Sequence, residues 1–306
     1  MSDNFSLVSS KYNKTEGRQD KTEIKELRNF NNWIKSSLIL LCPNNGNVLD
    51  ICGGRGGDLY KYRFKHVNNY VLFDNADISI KEAENRYNKM DISIRPKNII
   101  FKHVDCFTED TNQLIPDNLY FDFASCQFAF HYACGNLKHI ERLFKNVSER
   151  LKKDCLFVGT TVNEHKLIEK LKNSKDFKFG NSKYSIEFDK KEDQNLSRIG
   201  TKYYFNLIES VPNVPEYLVH FNTIKKIAEK YNLKLICKKT FEECKKSKFS
   251  FISDLDINIP KYRKEKYINV IEKSFERVKD IDNKNKSAVD QWEICDLYLI
   301  FIFKKT

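Results

Sequence analysis

Four aspartates among the first 105 residues follow either an apolar segment or a run of glycines. Asp50 closes one such segment, and Asp58 follows the glycine-rich residues 53–57. Asp74 and Asp105 follow two later apolar segments. Carboxylates attract cations and accept hydrogen bonds from hydroxyl and amino groups, whereas a pyrophosphate needs an electropositive turn. The arrangement therefore indicates a pocket for a ligand that carries positive charge.

The run VLDICGGRGGDLYKY, residues 48–62, predicts a buried strand, a glycine-rich turn and the start of a helix. In an open α/β sheet the first strand ends in a crevice, where glycines let the backbone approach a ligand. S-adenosylmethionine carries an ammonium and a sulfonium group, so a pocket of carboxylates suits it better than a dinucleotide. Asp74 lies 24 residues beyond Asp50, close to where such folds place a ribose acceptor, although Asp is also a favoured helix N-cap.

The remaining pattern alternates apolar strand segments with helical periodicity, which is typical of a doubly wound α/β fold. Predicted strands occupy residues 70–74, 98–104, 121–125, 155–158, 233–238 and 297–303. Predicted helices occupy residues 23–41, with a break near 29–32, and 137–151, 223–231 and much of 245–287. Residues 177–205 alternate apolar and polar positions, which predicts hairpin strands.

These elements predict a single domain over residues 21–306. We expect a mostly parallel central sheet flanked by helices, with an inserted β-hairpin and helical region at about residues 163–260. Residues 1–20 are polar, with few large apolar side chains, and are predicted to be disordered.

The composition favours an anionic partner. The formal charge is +11, from 53 Lys and Arg against 42 Asp and Glu, and 13% of the residues are aromatic. Both properties suit a nucleic acid, although a lysine-rich surface alone gives the same charge. The nine cysteines form no CxxC pair, so we expect neither a metal site nor a disulfide framework. The apolar runs are too short to span a bilayer, and we expect no membrane partner.

Six separated motifs carry a resemblance to a known family. From about residue 28 onward the chain resembles the mRNA cap guanine-N7 methyltransferases, which are class I S-adenosylmethionine-dependent methyltransferases of Rossmann-like fold. The motifs are RNFNNWIKS, the glycine turn, FDNADISI, SCQFAFHYA, YYFNLIESVPNVPEYLV and LYLIFIF. Two positions depart from the family's pattern. Cys52-Gly53-Gly54 replaces the usual glycine-cysteine-glycine, and Arg55 stands where lysine is usual.

The resemblance implies a role for each residue of the cofactor pocket. Lys35 would pair with the methionine carboxylate and Asp58 would lie toward the methionine end. Asp74 would accept hydrogen bonds from the ribose hydroxyls, and Asp105 from the adenine amino group. Cys52, Gln127 and Tyr132 would complete the cofactor contacts.

The resemblance also implies a site for a capped RNA. Guanine presents N1–H and its 2-amino group on one edge, and a single carboxylate can accept from both, a role that falls to Glu216. His131 would face the O6 and N7 side of the guanine. Tyr298 would supply an aromatic wall, and Tyr132 could supply one as well as contacting the cofactor. The remaining cap residues would be Asn31 and Asn32, with Arg55, Lys61 and Arg86 at the triphosphate bridge.

The expected reaction is methyl transfer to guanine N7 without a catalytic acid or base, because N7 has a free lone pair and no proton to lose. Two alternatives remain open: an acceptor in another RNA or a small amine, and a noncatalytic RNA-binding subunit. We expect a guanylyltransferase or capping-complex partner on another polypeptide. The expected location is the nucleus, or the cytoplasm if the protein is viral.

Overall fold

The structure, a computed structural model, describes residues 3–14, 22–189 and 197–306. The strands are β1 Asn47–Ile51, β2 Asn69–Asp74, β3 Asn98–His103, β4 Phe121–Gln127, β5 Leu151–Val162, β6 Lys178–Gly180, β7 Tyr184–Phe188, β8 Lys202–Leu207, β9 Val211–Tyr217, β10 Leu233–Thr240 and β11 Tyr298–Lys305. The helices are α1 Asp3–Lys14, α2 Lys25–Ile39, α3 Asp77–Asn88, α4 Phe130–Ala133, α5 Leu137–Ser148, α6 Glu164–Lys172, α7 Phe221–Glu229, α8 Phe241–Ser247, α9 Lys261–Phe275 and α10 Lys286–Cys295.

Seven strands form the central sheet in the order β10-β11-β5-β4-β1-β2-β3. Neighbouring pairs from β5 to β3 are parallel, and only β11 runs against its neighbours β5 and β10. Strand order reverses between β1 and β4, which is where ligands bind in open α/β sheets. The predicted fold class is therefore confirmed, and the topology places the glycine turn after β1 at this switch point.

The central strands form because their side chains are apolar on both faces. In β1 the four residues from Val48 to Ile51 are all buried, and in β2 the four from Tyr70 to Phe73 are buried as well. Parallel strands covered by helices on both sides have this character. The one polar side chain among those four β1 residues, Asp50, is consequently buried beneath the turn.

The segment predicted to break near residues 29–32 is one continuous helix, α2. Leu27, Phe30, Ile34 and Leu38 recur at helical spacing and are buried. The Phe30 ring lies 5.3 Å from the ring of Trp33. Packing of this face stabilises the helix across its three asparagines at positions 29, 31 and 32. The uninterrupted helix places residues 31 and 35 one turn apart on the same face.

The glycine turn leads into a short 3-10 helix, Leu59–Tyr62, at the position where the sequence predicts the start of a helix. Leu59 and Tyr62 are buried while the residues between them point outward or into the site. The three-residue repeat explains this division, since positions i and i+3 of a 3-10 helix lie on one face.

The inserted region is a sheet of its own. Strands β6, β7, β8 and β9 form a four-stranded antiparallel sheet, so the hairpin material predicted at residues 177–205 extends through β9. The expected insertion at 163–260 also included β10, which instead lies at the edge of the central sheet, beside β11. Sequence periodicity identified β10 as a strand but could not assign it to a sheet.

The N-terminal segment differs from the disorder expected for residues 1–20. Asp3–Lys14 form helix α1, which packs against β9 and α3; residues 1–2 and 15–21 lie outside the described residues. Val8 is buried in the core and Tyr12 packs against it. These apolar contacts, together with the packing against β9 and α3, attach a segment in which most residues are polar.

Candidate functional site

The turn after β1 forms a cradle with open space above it. A Cβ atom on Gly53 would come within 2.6 Å of Asp50 Oδ2, so this glycine is required by packing. Gly54 has φ +54°, and neither Gly54 nor Gly57 has an atom within 4 Å of the position a Cβ would take. Gly56 packs tightly against α3. The backbone of the turn is therefore held from below and accessible from above, as close approach by a ligand requires.

Asp50 does not supply the negative charge that its position suggested. It is only 2% exposed, and its Oδ2 accepts a hydrogen bond of 2.6 Å from the Tyr70 hydroxyl. Burial raises the pKa of the Asp50 carboxyl to about 8. Asp50 is thus mostly protonated at neutral pH and acts as a support beneath the turn.

Asp74 connects the turn to the next helix. Its Oδ2 accepts from the Gly54 N–H at 2.8 Å and its Oδ1 from the Ala76 N–H at 2.9 Å. Burial raises the pKa of this carboxyl to about 7, although the two backbone N–H groups oppose the shift. Each carboxylate oxygen has a second lone pair, so both oxygens can still accept from a hydroxyl. That arrangement is compatible with the predicted ribose contact.

Asp105 follows β3, the strand beside β2. Its Oδ1 accepts from the Phe107 N–H at 2.9 Å, and burial raises the pKa of its carboxyl. Asp74 and Asp105 therefore lie at the same carboxyl edge of neighbouring parallel strands, as their sequence positions predicted.

Lys35, Asp58 and Lys61 form one charged cluster. Asp58 Oδ1 lies 2.8 Å from the Nζ atoms of both lysines, which come from α2 and the 3-10 helix. Burial alone would raise the pKa of Asp58, but the two ammonium groups outweigh it and hold this pKa well below its usual range. Lys61, expected at the triphosphate, is thus drawn toward Asp58, and it also donates to Gly57 O at 3.1 Å.

This cluster matches the amino-acid end of S-adenosylmethionine in charge. That end presents one ammonium and one carboxylate group, and the cluster offers one carboxylate and two ammonium groups beside the open face of the turn. Asp58 can accept from the ligand's ammonium while Lys35 donates to its carboxylate. The residues present therefore fit the cofactor.

A second cluster surrounds Glu216, which β9 of the small sheet carries into the interior. Glu216 is 2% exposed. Its Oε2 accepts from the Tyr203 hydroxyl at 2.7 Å, while the Tyr132 hydroxyl and His131 Nε2 each lie 3.3 Å from Oε1. Burial raises the pKa of both tyrosines, so they remain neutral hydrogen-bond donors at neutral pH. A buried carboxylate held by several donors is a strong acceptor site.

Aromatic side chains enclose this acceptor. The ring centroids of His131 and Tyr132 lie 4.5 Å apart in α4, and the Tyr298 ring packs edge-on against Phe128 at 5.0 Å. Burial is the main cause that raises the pKa of Tyr298, and the Glu216 carboxylate is the second. The Tyr298 phenol is therefore close enough to Glu216 to interact with its charge. Flat apolar walls around a carboxylate suit a planar ligand that has N–H groups on one edge.

Helix α1 adds a residue that the sequence analysis missed. The Tyr12 and Tyr132 hydroxyl oxygens lie 3.0 Å apart, and Arg55 Nη2 donates to the Tyr12 carbonyl at 3.1 Å. Burial, with contributions from the carboxylates of Glu216 and Asp74, raises the pKa of Tyr12. Its hydroxyl therefore lies beside the Glu216 cluster. The only available signal in the sequence was the helical spacing of apolar residues in α1. Tyr203, also missed, is one of the buried residues that alternate with half-buried ones along β8.

The other predicted residues occupy the margins of the site. Arg55 pairs with Glu82 of α3 at 3.2 Å, and Gln127 Nε2 donates to Ser125 Oγ at 3.0 Å. Half-buried positions on α2 hold Asn31 and Asn32, and Arg86 is exposed on α3.

Cys52 occupies the left-handed region at φ +56°, so the replaced glycine position is tolerated in this conformation. Hydrogen bonds from the thiols of Cys106 and Cys126 lower the pKa of Cys52. The cofactor edge of the sheet thus carries three neighbouring thiols, two of them buried.

Comparison with known proteins decides between the alternatives left open by the sequence. A profile of the mRNA (guanine-N(7))-methyltransferase domain matches residues 2–306. The chain belongs to the mRNA cap guanine-N7 methyltransferase family. The predicted resemblance, fold and enzyme class are thereby confirmed, and the enzyme is a methyltransferase rather than a binding subunit that has only the fold.

Individual relatives support the assignment along most of the chain. The mRNA cap guanine-N(7) methyltransferase 1 of Arabidopsis thaliana is 31% identical over 97% of this chain and 79% of its own length. The corresponding protein of Schizosaccharomyces pombe is 33% identical, covering 92% of this chain and 76% of its own. The solved structure of the CcbJ methyltransferase from Streptomyces caelestis aligns with a TM-score of 0.54 at 8% identity, over 90% of this chain and 96% of its own, and supports the fold alone.

Within residues 3–14, 22–189 and 197–306, no three His, Cys, Asp or Glu side chains are arranged to hold a metal ion. In the same part of the chain, no helix is long and apolar enough to cross a membrane.

Proposed function

We propose that this methyltransferase binds S-adenosylmethionine between the glycine turn and the Lys35–Asp58 pair, and a GpppN cap with its guanine at Glu216. The observation that carries the proposal is the buried Glu216 carboxylate, whose hydrogen-bond partners come from α4 and the small sheet. A carboxylate accepts from N1–H and the 2-amino group of guanine but finds no matching pair of donors on adenine. The pocket therefore selects guanine.

Glu216 has contacts that a guanine can replace. The Tyr203 contact at 2.7 Å is short, whereas the Tyr132 and His131 contacts to Oε1 are 3.3 Å. A carboxylate offers about four acceptor directions, so a ligand can take the place of the two long contacts while Tyr203 continues to hold Oε2. Tyr132 then keeps its hydroxyl contact with Tyr12.

When bound, the cofactor supplies an electrophilic methyl group on a sulfonium. The protein's part is positioning, because guanine N7 needs no deprotonation before it reacts. The positive charge on the sulfonium is concentrated in the ground state and disperses in the transition state. Carboxylates close to the sulfur would therefore stabilise the ground state more and slow the reaction, so they belong at the periphery. Asp58, Asp74 and Asp105 suit the amino-acid end, the ribose and the adenine respectively, all of them away from the reacting methyl.

The proposal includes a partner and a location. A separate guanylyltransferase or capping complex would supply the GpppN end, and the enzyme would act in the nucleus, or in the cytoplasm if it is viral. The reaction as proposed needs no metal ion, because alignment of N7 with the methyl group is sufficient.

The test is transfer of labelled methyl from S-adenosylmethionine to GpppG-capped RNA, with uncapped RNA and tRNA alongside and nuclease digestion of the products. We expect label only in the cap guanine, and only in capped RNA. Label in internal nucleosides, or no label although the cofactor binds, would overturn the substrate assignment.

A further inference from the structure

An arginine stacked between two exposed aromatic rings lies just outside the site. The Arg63 guanidinium carbon is 4.6 Å from the centre of the Tyr60 ring and 4.3 Å from that of the Phe64 ring. Arg63 Nη1 also donates to the Tyr60 carbonyl at 3.1 Å, which fixes the stack. Yet 57% of Tyr60 and 70% of Phe64 remains exposed. Large aromatic surface is therefore held in a defined arrangement without being buried.

The stack is directly connected to the cationic side of the site. Tyr60 and Lys61 are consecutive residues of the same 3-10 helix, and Lys61 Nζ reaches Asp58 inside the cofactor cluster. Burial lowers the pKa of Lys61, and Arg86 contributes through repulsion, so Arg86 lies near the same element. A triphosphate that passes Lys61, whose ammonium also contacts Asp58, would therefore emerge beside Tyr60.

The chemistry of this surface favours single-stranded nucleic acid. Exposed aromatic rings stack on bases without regard to sequence, and neighbouring arginines bind phosphates and add cation–π attraction. A surface that docks a folded protein is commonly a contiguous apolar patch, whereas the Arg63 guanidinium separates the two rings here. The net charge of +11 adds long-range attraction for a polyanion.

We propose that Tyr60, Arg63 and Phe64 form a platform on which the first bases after the cap stack. The platform rests on the proposed function, because it presupposes a capped RNA in the site, and it extends that function to the RNA beyond the cap. It predicts that the enzyme distinguishes a capped oligonucleotide from an isolated cap dinucleotide by binding.

The experiment compares the two substrates with a variant that lacks both rings, Tyr60→Ala with Phe64→Ala. With a capped RNA of about ten nucleotides, we expect KM to rise roughly 10-fold or more, since each base–aromatic stack contributes about that much. With GpppG, KM and kcat should stay within about twofold of the parent enzyme. Matched controls are Tyr262→Ala and Ile92→Ala, which remove exposed apolar side chains elsewhere.

A single-residue variant tests the charge. Arg63→Gln should reduce the slope of log affinity against log salt by about one for capped RNA, as expected for one lost phosphate contact. S-adenosylmethionine affinity, measured by calorimetry, verifies that every variant retains a folded cofactor pocket.

Three outcomes would overturn the platform. Equal changes for GpppG and for capped RNA would place the rings in the cap site, and no change for either would leave them without a role in RNA binding. Loss of self-association without a change in RNA kinetics would assign the surface to a second copy of the chain. Failure of the parent enzyme to methylate GpppG-capped RNA would instead refute the proposed function.

Discussion

The hydroxyl oxygens of Tyr12 and Tyr132 lie 3.0 Å apart and join the N-terminal helix to the acceptor side of the site. Tyr132 continues this link to Glu216, while the Tyr12 carbonyl accepts from Arg55 of the glycine turn. Asn13 Nδ2 donates to Asp77 Oδ1 at 2.9 Å, at the start of α3. Helix α1 thus spans the elements that form both halves of the pocket.

We expect Tyr12→Phe to lower kcat/KM for capped RNA about 5-fold, which corresponds to the loss of one hydrogen bond of about 1 kcal/mol. The affinity for S-adenosylmethionine should not change, because the altered hydroxyl contacts Tyr132. A double-mutant cycle with Tyr132→Phe measures the link directly. Additive effects of the two substitutions would show that the hydroxyl contact plays no part in catalysis.

Glu216→Gln keeps the shape of the side chain and removes its charge. We expect kcat/KM for capped RNA to fall about 10- to 100-fold, because charge-assisted hydrogen bonds to guanine contribute about 1.5–3 kcal/mol. Cofactor binding, measured by calorimetry, should persist. Glu187→Gln alters an exposed glutamate of the same small sheet and serves as the control. Full activity of Glu216→Gln would contradict the assignment of guanine to this carboxylate.

Cofactor binding should depend on pH through Asp74. Its pKa of about 7 means that the carboxyl is largely protonated below neutrality, and a ribose diol is best accepted by the ionised form. The affinity for S-adenosylhomocysteine should therefore rise as pH increases toward and through 7, with release of a proton on binding. Calorimetry in buffers of different ionisation enthalpy measures that proton. A pH-dependence that survives Asp74→Asn would show that another group is responsible.

Folding stability should respond to Asp50 in the opposite direction. The folded state holds this carboxyl at a pKa of about 8, against 3.8 for an unperturbed aspartate, so unfolding releases a proton between those values. Raising the pH from 4 toward 8 therefore favours the unfolded state, by at most about 1.4 kcal/mol per pH unit from this group. Urea unfolding of Asp50→Asn should show a shallower decline across that range. An unchanged pH profile would show that Asp50 is not the group that titrates.

The cofactor half of the site was predictable because its residues follow strands that are apolar on both faces. Once the strands ending near Asp50, Asp74 and Asp105 are identified, parallel topology brings their carboxyl ends together. The same reasoning could not determine that Asp50 is buried under Tyr70. The burial of Asp50 depends on which face of the sheet its side chain points to and on the pairing of β1 with β2, which brings Tyr70 beside it. The local sequence of β1 does not contain that information.

The acceptor half was harder to derive from residue patterns. Glu216 was assigned through a family motif, since a single glutamate in a short strand has no distinctive local signal. Tyr12 was missed because α1 has little apolar surface and is stabilised by contacts with β9 and α3, which are distant in sequence. The hairpin strands predicted at residues 177–205 are present, but the prediction did not extend to the fourth strand, β9, which contains two prolines that disfavour a strand prediction.

The two halves of the site belong to different sheets, because Glu216 lies on β9 of the small sheet and the glycine turn follows β1 of the central sheet. The span between methyl donor and acceptor is therefore set by how the small antiparallel sheet sits on the large one. The small sheet is the less extensive of the two, so heat should loosen it first. Turnover would then be lost at a temperature at which the enzyme still takes up its cofactor, and thermal inactivation would precede global melting.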